Sequence, residues 1–585
     1  MDHPAQVAEQ YWLPPGRAHI KRILSSAVIL ATLVICWRAA EIRPAALFEP
    51  AAIASVWTFL RGLFPPDLSP AFLRVVAVAT GETLAIAIAG TVLSVLIAIP
   101  LGMLATPTLW RRGVLVSAER QGPVQIGLAI ISHAAKLLLG FLRAVPDLVW
   151  ALLFVVAVGL GSLAGALALA VSYSGVLGRV YADVFEDVDP QALEALHATG
   201  ATRLQIFIWA VLPQAAPSIT AYTLYSFECC VRGAAVLGFV GAGGIGYEVN
   251  VSMRLFEYGQ VLTLIAALVC LVAATELASR FIRRRLHANA PAGSLAHEHL
   301  NNLNLAGARE RIEIQLKKYS RTLTAVFLFI GSFYLAGFFN GSLVDPSLLN
   351  RSARFVAQMF PPDFDPEFLR SLARPVLQTI GISVMGTLLG IGIGAALAAP
   401  ATSTLVFADE AEARRISTVE GIAQRLLFYS ARLVLNVLRS IPELIWVLVC
   451  VLAVGLGPFA GTLAIGLHTG GVLGKLYAET LEEVPTRPIE ALRAAGARPM
   501  QILFWGIWPQ ARPALASYTV LRWDFNLRVS TVLGLVGGGG LGQVIYNNVQ
   551  LGFYQRVSTL IMLIYILVIA ADWLGTRLRA RRVAL

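Results

Sequence analysis

The sequence predicts an all-α polytopic membrane protein, with about twelve transmembrane helices in two parallel six-helix repeats. Three observations carry this. First, the 585 residues are 57% apolar and 14% charged, where a soluble domain has ~25% charged residues. Second, the apolar residues come in blocks long enough to cross ~30 Å of hydrocarbon at ~1.5 Å per residue. Third, the chain repeats itself: Phe64-Pro65-Pro66-Asp67 returns as Phe360-Pro361-Pro362-Asp363, 296 residues later. Over 143–161 against 439–457, 11 of 19 residues are identical without a gap, as fusion of two homologous halves would leave them. This composition excludes a disordered chain, a nucleic-acid-binding domain and an ordinary cytosolic enzyme.

The spans follow in order. In the first half they are expected near 23–40, 76–105, 137–158, 162–180, 215–237 and 259–279, and in the second near 319–339, 372–400, 433–454, 458–476, 511–533 and 557–574. Lys21-Arg22 before the first span raises a cleaved leader, but the matching span after Lys317-Lys318 is internal, so none is expected. Basic residues set the orientation. Arg17, Lys21 and Arg22, then Arg111, Arg112, Arg120 and Lys136, then Arg280 and Arg283 to Arg285, and at the end Arg577, Arg579, Arg581 and Arg582 all fall on one side. That side is expected to be cytoplasmic, with both termini on it, in a cell (plasma or inner) membrane. An even number of spans per half makes the repeats parallel. The domains expected are 1–285 and 317–585, joined by a cytoplasmic linker at 286–316. The net charge of +11 belongs to these loops and need not mean nucleic acid.

The loop between spans four and five, near 188–213 and 484–509, carries the most specific pattern. It reads Glu194-Ala195-Leu196-His197-Ala198-Thr199-Gly200 and, nine residues on, Ala210-Val211-Leu212-Pro213. The second copy reads Glu490-Ala491-Leu492-Arg493-Ala494-Ala495-Gly496 and then Gly506-Ile507-Trp508-Pro509. Pro190 and Pro488 suit a helix start, the acidic residues an early turn, and the glycines a bend. The expected unit is a short helix, a turn, and a helix returning into the membrane.

This spacing resembles the EAA loop of ABC importer permeases, E-A-A-x3-G-x9-I-x-L-P. In that family the short helix docks on a separate ATPase and transmits its closure. Glu194, Ala195, Gly200, Leu212 and Pro213 match in the first copy, and Glu490, Ala491, Gly496 and Pro509 in the second. Leu196, Leu492, Ala210, Gly506 and Trp508 depart from it. Stretches such as 143–150, 159–161, 174–178 and 237–246, with their repeat partners, resemble the permease subunits of phosphonate-type ABC importers, a branch of the binding-protein-dependent permeases. The resemblance implies the MetI-like permease fold and import of a phosphonate, phosphate or phosphite. It implies an ATPase dimer inside, holding ATP and Mg, and an extracytoplasmic binding protein docked on 41–72 and 337–370. No cofactor and no catalysis are expected in the chain itself.

Ionisable residues at membrane depth are functional candidates. Glu228 with Arg232, and Asp524 with Arg528, stand at i,i+4 and are expected to pair, bracing the spans or lining an anion path. Arg143 and Arg439 precede Pro146 and Pro442 in span three, expected to kink there; they are expected either to snorkel toward the cytoplasmic surface or to form a cationic inner gate on the anion path, with Asp147 and Glu443 as candidate partners. The glycine loops containing Gly241, Gly243, Gly244 and Gly246, and Gly537, Gly539, Gly540 and Gly542, lack a phosphate-loop signature. They are expected to be close-packed turns at an outer gate. His468 is expected to be a packed polar residue, and His297-Glu298-His299 no metal site. The five cysteines form no C-x-x-C pair and are expected to be buried and free. A 6+6 ion-driven transporter is the rival reading, but the carboxylates Glu228 and Asp524 each sit beside an arginine and the twin loops would have no role in it. A membrane enzyme would need clustered His, Asp or Cys chemistry.

Overall fold

A computed structural model describes residues 15–110, 123–288, 329–339, 346–403 and 418–583, all helix and connection. The first half contains α1 (Pro15–Ala39), α2 (Pro50–Gly62), α3 (Pro70–Ala105), α4 (Pro123–Ala144), α5 (Asp147–Val158), α6 (Ser162–Glu186), α7 (Pro190–Ala198), α8 (Leu212–Leu237), α9 (Gly244–Arg254) and α10 (Tyr258–Ala288). The second half contains α11 (Pro346–Gln358), α12 (Ala373–Ala401), α13 (Thr418–Ser440), α14 (Glu443–Val454), α15 (Pro458–Glu482), α16 (Thr486–Ala494), α17 (Trp508–Ser530), α18 (Leu541–Gln550) and α19 (Tyr554–Val583). From α2 and α11 onward the halves match element for element. The expected linker lies outside the described residues except 286–288, which continue α10. His297 to His299 and the first part, 319–328, of the span expected at 319–339 also lie outside them.

Seven helices among the described residues are long and apolar enough to cross a membrane, or eight if α13 and α14 form one bent span. α15 and α17 are not among the seven, because they carry His468, Lys475, Arg522, Asp524 and Arg528. They hold the same places as α6 and α8, and buried Asp524, Asn526 and His468 show that part of their polar load is packed inside protein.

Span three differs from expectation. It is not one kinked helix but two, and α13 and α14 meet at 97°. Pro146 and Pro442 are the N-caps of the second pieces, with ψ of 147° in each. A proline keeps the preceding residue out of the helical region, so α4 and α13 stop short and α5 and α14 start afresh.

Each half is centred on a tight helix pair, α3 with α6 and α12 with α15. Gly386, Gly390 and Gly394 form an i,i+4 stripe on α12, and α15 lies so close that a Cβ on Gly394 would stand 2.9 Å from the Gly474 nitrogen. Small residues give helices in lipid their close contact. The halves also exchange elements. α1 crosses to the second half, where a Cβ on Gly381 of α12 would meet the Cys36 carbonyl at 2.8 Å. Glu41, at the end of α1, accepts from Arg374 at 2.9 Å and Gln378 at 3.2 Å. α2 packs on α14, and α11 returns the contact on α5, with Ser352 donating to the Ala157 carbonyl at 3.2 Å.

The repeated Phe-Pro-Pro-Asp turns tie span two to span six of their own half. Thr263 donates to the Asp67 carbonyl at 2.9 Å, and Thr559 to the Asp363 carbonyl at 2.7 Å. The Ser69 N–H holds the Asp67 carboxyl below the usual range, and the Asp365 N–H with Arg556 does the same for Asp363. The cysteines are free: Cys36, Cys230 and Cys450 are buried as expected, while Cys229 is only half-buried and Cys270 is exposed.

Candidate functional site

The two connecting loops are built alike. Asp189 caps α7, accepting from the Gln191 N–H at 3.0 Å. It takes the dipole role expected of Glu194, which lies one turn further in, as Glu490 does in α16. Gly200 and Gly496 end these helices at φ +80°. Gly200 donates to the His197 carbonyl at 3.0 Å and Ala201 to that of Leu196 at 3.3 Å; in the second copy Gly496 donates to Arg493 at 2.8 Å and Ala497 to Leu492 at 3.0 Å. This is the left-handed closure that satisfies the last carbonyls of a helix. Gln205 then caps the returning helix, accepting from the Thr202 N–H at 2.7 Å, and Gln501 accepts from that of Arg498 at 2.8 Å.

A wide π-type turn follows in both copies, Phe207–Val211 and Ile502–Ile507. Pro213 and Pro509 explain it: each lacks an N–H and its ring crowds the carbonyl four residues back, so the turn ahead opens. Leu193 and Ile489 anchor the short helices at 7% and 4% exposure. Glu194, Ala195, Glu490 and Ala491 are exposed. An open cleft of about 420 Å³ lies beside the first loop, lined by Leu196, Thr199, Gly200, Ala201, Gln205 and Trp209.

The charged residues at membrane depth are less symmetric than their sequence. Asp524 accepts from Arg528 at 2.7 Å, as the i,i+4 spacing predicts. Arg528 also reaches Asp572 of α19 at 2.6 Å, and Arg143 of the other half closes on the same Asp572. This chain of four charges joins the halves. In the repeat-related place Glu228 does not pair with Arg232; Arg283 of α10 takes it at 2.9 Å. Arg232 reaches the Cys229 sulfur at 3.6 Å. Glu276, the counterpart of Asp572, pairs with Arg280 on its own helix at 3.2 Å. Arg439 bonds Asn436 at 3.3 Å.

The partners expected for Arg143 and Arg439 are also turned elsewhere. Asp147 accepts from the Leu148 N–H at 2.9 Å, and Glu443 faces His468 at 3.6 Å. The break after Ala144 and Ser440 redirects both acids. Asp572 was overlooked by sequence reasoning, although a lone carboxylate inside the apolar run 557–574 was a usable signal.

Both glycine loops are close-packed, as expected. The first rests on α3, where Glu82 accepts from the Gly244 N–H at 3.0 Å and Thr83 from that of Ile245 at 2.8 Å. Glu82 thus serves the N-terminus of α9. Thr379 accepts from Leu541 at 3.0 Å in the second copy. Gly161 and Gly457 donate to Gly241 and Gly537, each at 2.9 Å. A Cβ on Gly246 would fall on the Ala235 carbonyl oxygen, which is backbone and cannot turn aside. Gly246→Ala should therefore cost about 1–3 kcal/mol by overpacking, and a lowered thermal midpoint of the detergent-solubilised protein would register it.

A helical chain of two matched halves, each with a docking-type loop between its fourth and fifth spans, is a transport permease with both units in one polypeptide. The family model described as "Binding-protein-dependent transport system inner membrane component" matches twice, at 127–288 and 422–583. The chain belongs to that family and is a multi-pass membrane protein. The phosphate-import permease protein PhnE of Mycolicibacterium smegmatis is 33% identical over 94% of this chain and 93% of its own length. The phosphite transport system permease protein PtxC of Stutzerimonas stutzeri is 37% identical over 43% of this chain and 86% of its own. A chain of the MetNI methionine ABC transporter, in inward-facing conformation, is 26% identical, with a TM-score of 0.32 over 38% of this chain and 99% of its own.

Proposed function

We propose that this permease carries a small phosphorus oxyanion, phosphonate, phosphate or phosphite, into the cell. An extracytoplasmic binding protein delivers it and a separate ATPase dimer, holding ATP and Mg, drives transport. The chain hydrolyses nothing and needs no cofactor of its own. The full-length likeness to a phosphate-import permease carries the substrate class. The twin loops support the ATPase contact, because each offers an exposed Glu-Ala face on a helix anchored from behind. Both termini are cytoplasmic in this reading, on the side of the basic loops.

The path runs between the halves. Its candidate residues are Arg143, Arg232, Glu228, Arg439, Arg528 and Asp524, with the two glycine loops at the outer gate. Uptake of phosphate, phosphite and methylphosphonate by a strain lacking this gene, with and without the gene restored, tests the reading. Restored uptake of at least one anion, abolished by ATP depletion at constant proton and sodium gradients, is the expected result. Uptake that follows an ion gradient without ATP would overturn it. Co-purification of an ATP-binding subunit is expected alongside.

A further inference from the structure

Asp572 is held by two arginines from different halves. Arg143, at the end of α4, closes on Asp572 Oδ2 through its Nη2. Arg528 of α17 reaches Asp572 Oδ1 at 2.6 Å, also through its Nη2, and the same nitrogen donates to Asp524 at 2.7 Å. Each guanidinium thus meets the bridging carboxylate by one nitrogen, and neither makes with it the two parallel bonds that its fork of donors allows. Arg528 Nε is buried with no hydrogen bond among the described residues, and so is Asp524 Oδ1. A buried donor left unmet is costly. Arg143, Arg528 and Asp572 all remain partly exposed.

The repeat-related residues Arg439, Arg232, Glu228 and Glu276 are of the same chemical types, but they make no such bridge. Arg439 bonds Asn436, Arg232 reaches Cys229, Glu228 pairs with Arg283 and Glu276 with Arg280, and none of these contacts crosses between the halves. Phe141 and Tyr565, also on α4 and α19, meet edge to face at 5.4 Å; their counterparts are Val437 and Val269. The two seams between the halves are therefore unlike, and the bridge marks one of them. A carboxylate bridging two arginines stands where a small oxyanion would fit. Phosphate, phosphite and phosphonate bring three or more acceptor oxygens and up to two charges, against two oxygens and one charge for Asp572, and can engage both guanidinium forks by paired bonds.

We propose that Arg143 and Arg528 form a transient binding site for the phosphorus oxyanion between the halves, and that Asp572 is its resident competitor, displaced when the anion arrives and returning to expel it. The site rests on the reading of the chain as an oxyanion importer. In that reading it lies toward the cytoplasmic side, because Arg577 and Arg579 at the basic end of α19 follow Asp572 by five and seven residues. A tethered carboxylate competes at a high effective concentration, which keeps the hold on the cargo weak enough for release. Upstream capture by a binding protein would set the apparent KM, so this site would act on Vmax.

Binding of radiolabelled inorganic phosphate to the purified full-length permease in nanodiscs tests it, with chloride at equal ionic strength as the control. Asp572→Asn removes the competitor and should bind phosphate roughly tenfold more tightly than the unaltered protein, and adding Arg143→Gln should abolish that gain. Arg143→Lys keeps the charge that Asp572 needs but loses the planar fork. In the gene-deleted strain, with permease amount and ATPase co-purification measured in parallel, it should lower the Vmax of uptake roughly tenfold at unchanged KM. This variant decides the matter where Asp572→Asn fails to accumulate. No gain in Asp572→Asn, a gain that survives Arg143→Gln, or full Vmax in Arg143→Lys overturns the site and leaves the importer reading standing. If the unaltered gene restores uptake of none of phosphate, phosphite and methylphosphonate, the importer reading fails and the site with it.

Discussion

Replacing Gly200 and Gly496 together by valine should leave the protein in the membrane but uncouple uptake from the proposed ATPase or release that partner. The reason is backbone conformation, not space: a Cβ at either position meets nothing within 4 Å, but both residues sit at φ +80°. An L-residue in that region costs about 1–2 kcal/mol, and a β-branched one is a genuine outlier there. The closure made by Gly200 and Ala201 on His197 and Leu196 would be rebuilt, turning Glu194 and Ala195 away from their outward face. Asparagine tolerates the left-handed region, so Gly200→Asn with Gly496→Asn should keep most of the uptake. ATPase co-purification and uptake, each normalised to membrane-inserted permease, provide the measurement. Equal behaviour of the valine and asparagine pairs would remove the docking role from these turns.

Asp572→Asn should destabilise the protein far more than Glu276→Gln, although the two acids occupy the same place in the repeat. Asp572 is shared by Arg528 of its own half and Arg143 of the other, with side chains 20–33% exposed. Removing it leaves two arginines with one carboxylate, Asp524. Breaking a fully buried pair costs about 3–5 kcal/mol; partial exposure reduces that here to roughly 2 kcal/mol. Glu276 meets Arg280 on its own helix, where the arginine is 54% exposed, and such a pair is worth about 0.3–0.5 kcal/mol. Thermal midpoints of the two variants in one detergent would separate these cases. Equal shifts would mean that Asp572 does not hold the halves together.

The internal repeat, the apolar spans and the twin loops were all legible, because each rests on local signals. A glycine six residues after Glu194 or Glu490 ends a helix wherever it lies, and Pro213 and Pro509 open the turn before them by their own covalent structure. The break in span three was half legible: Pro146 and Pro442 announced a disturbance, but only the packing of α14 at 97° to α13 made it two helices. The ion pairs were legible in one half alone. The i,i+4 rule puts Glu228 and Arg232 on one face just as it does Asp524 and Arg528. It says nothing about a competing side chain from a neighbouring helix, and Arg283 is that competitor.

The sequence by itself determined that this chain is a doubled membrane permease with a matched loop between the fourth and fifth spans of each half. Composition, periodicity and a constant repeat offset are properties of the chain that no folding can alter. Only the tertiary structure decided which half each element serves. α1 packs on the opposite half, and Arg143 reaches across to Asp572. Such choices depend on which helices touch. In lipid that is settled by small-residue contacts and by the need of every buried charge for a partner, conditions met between helices far apart in the chain.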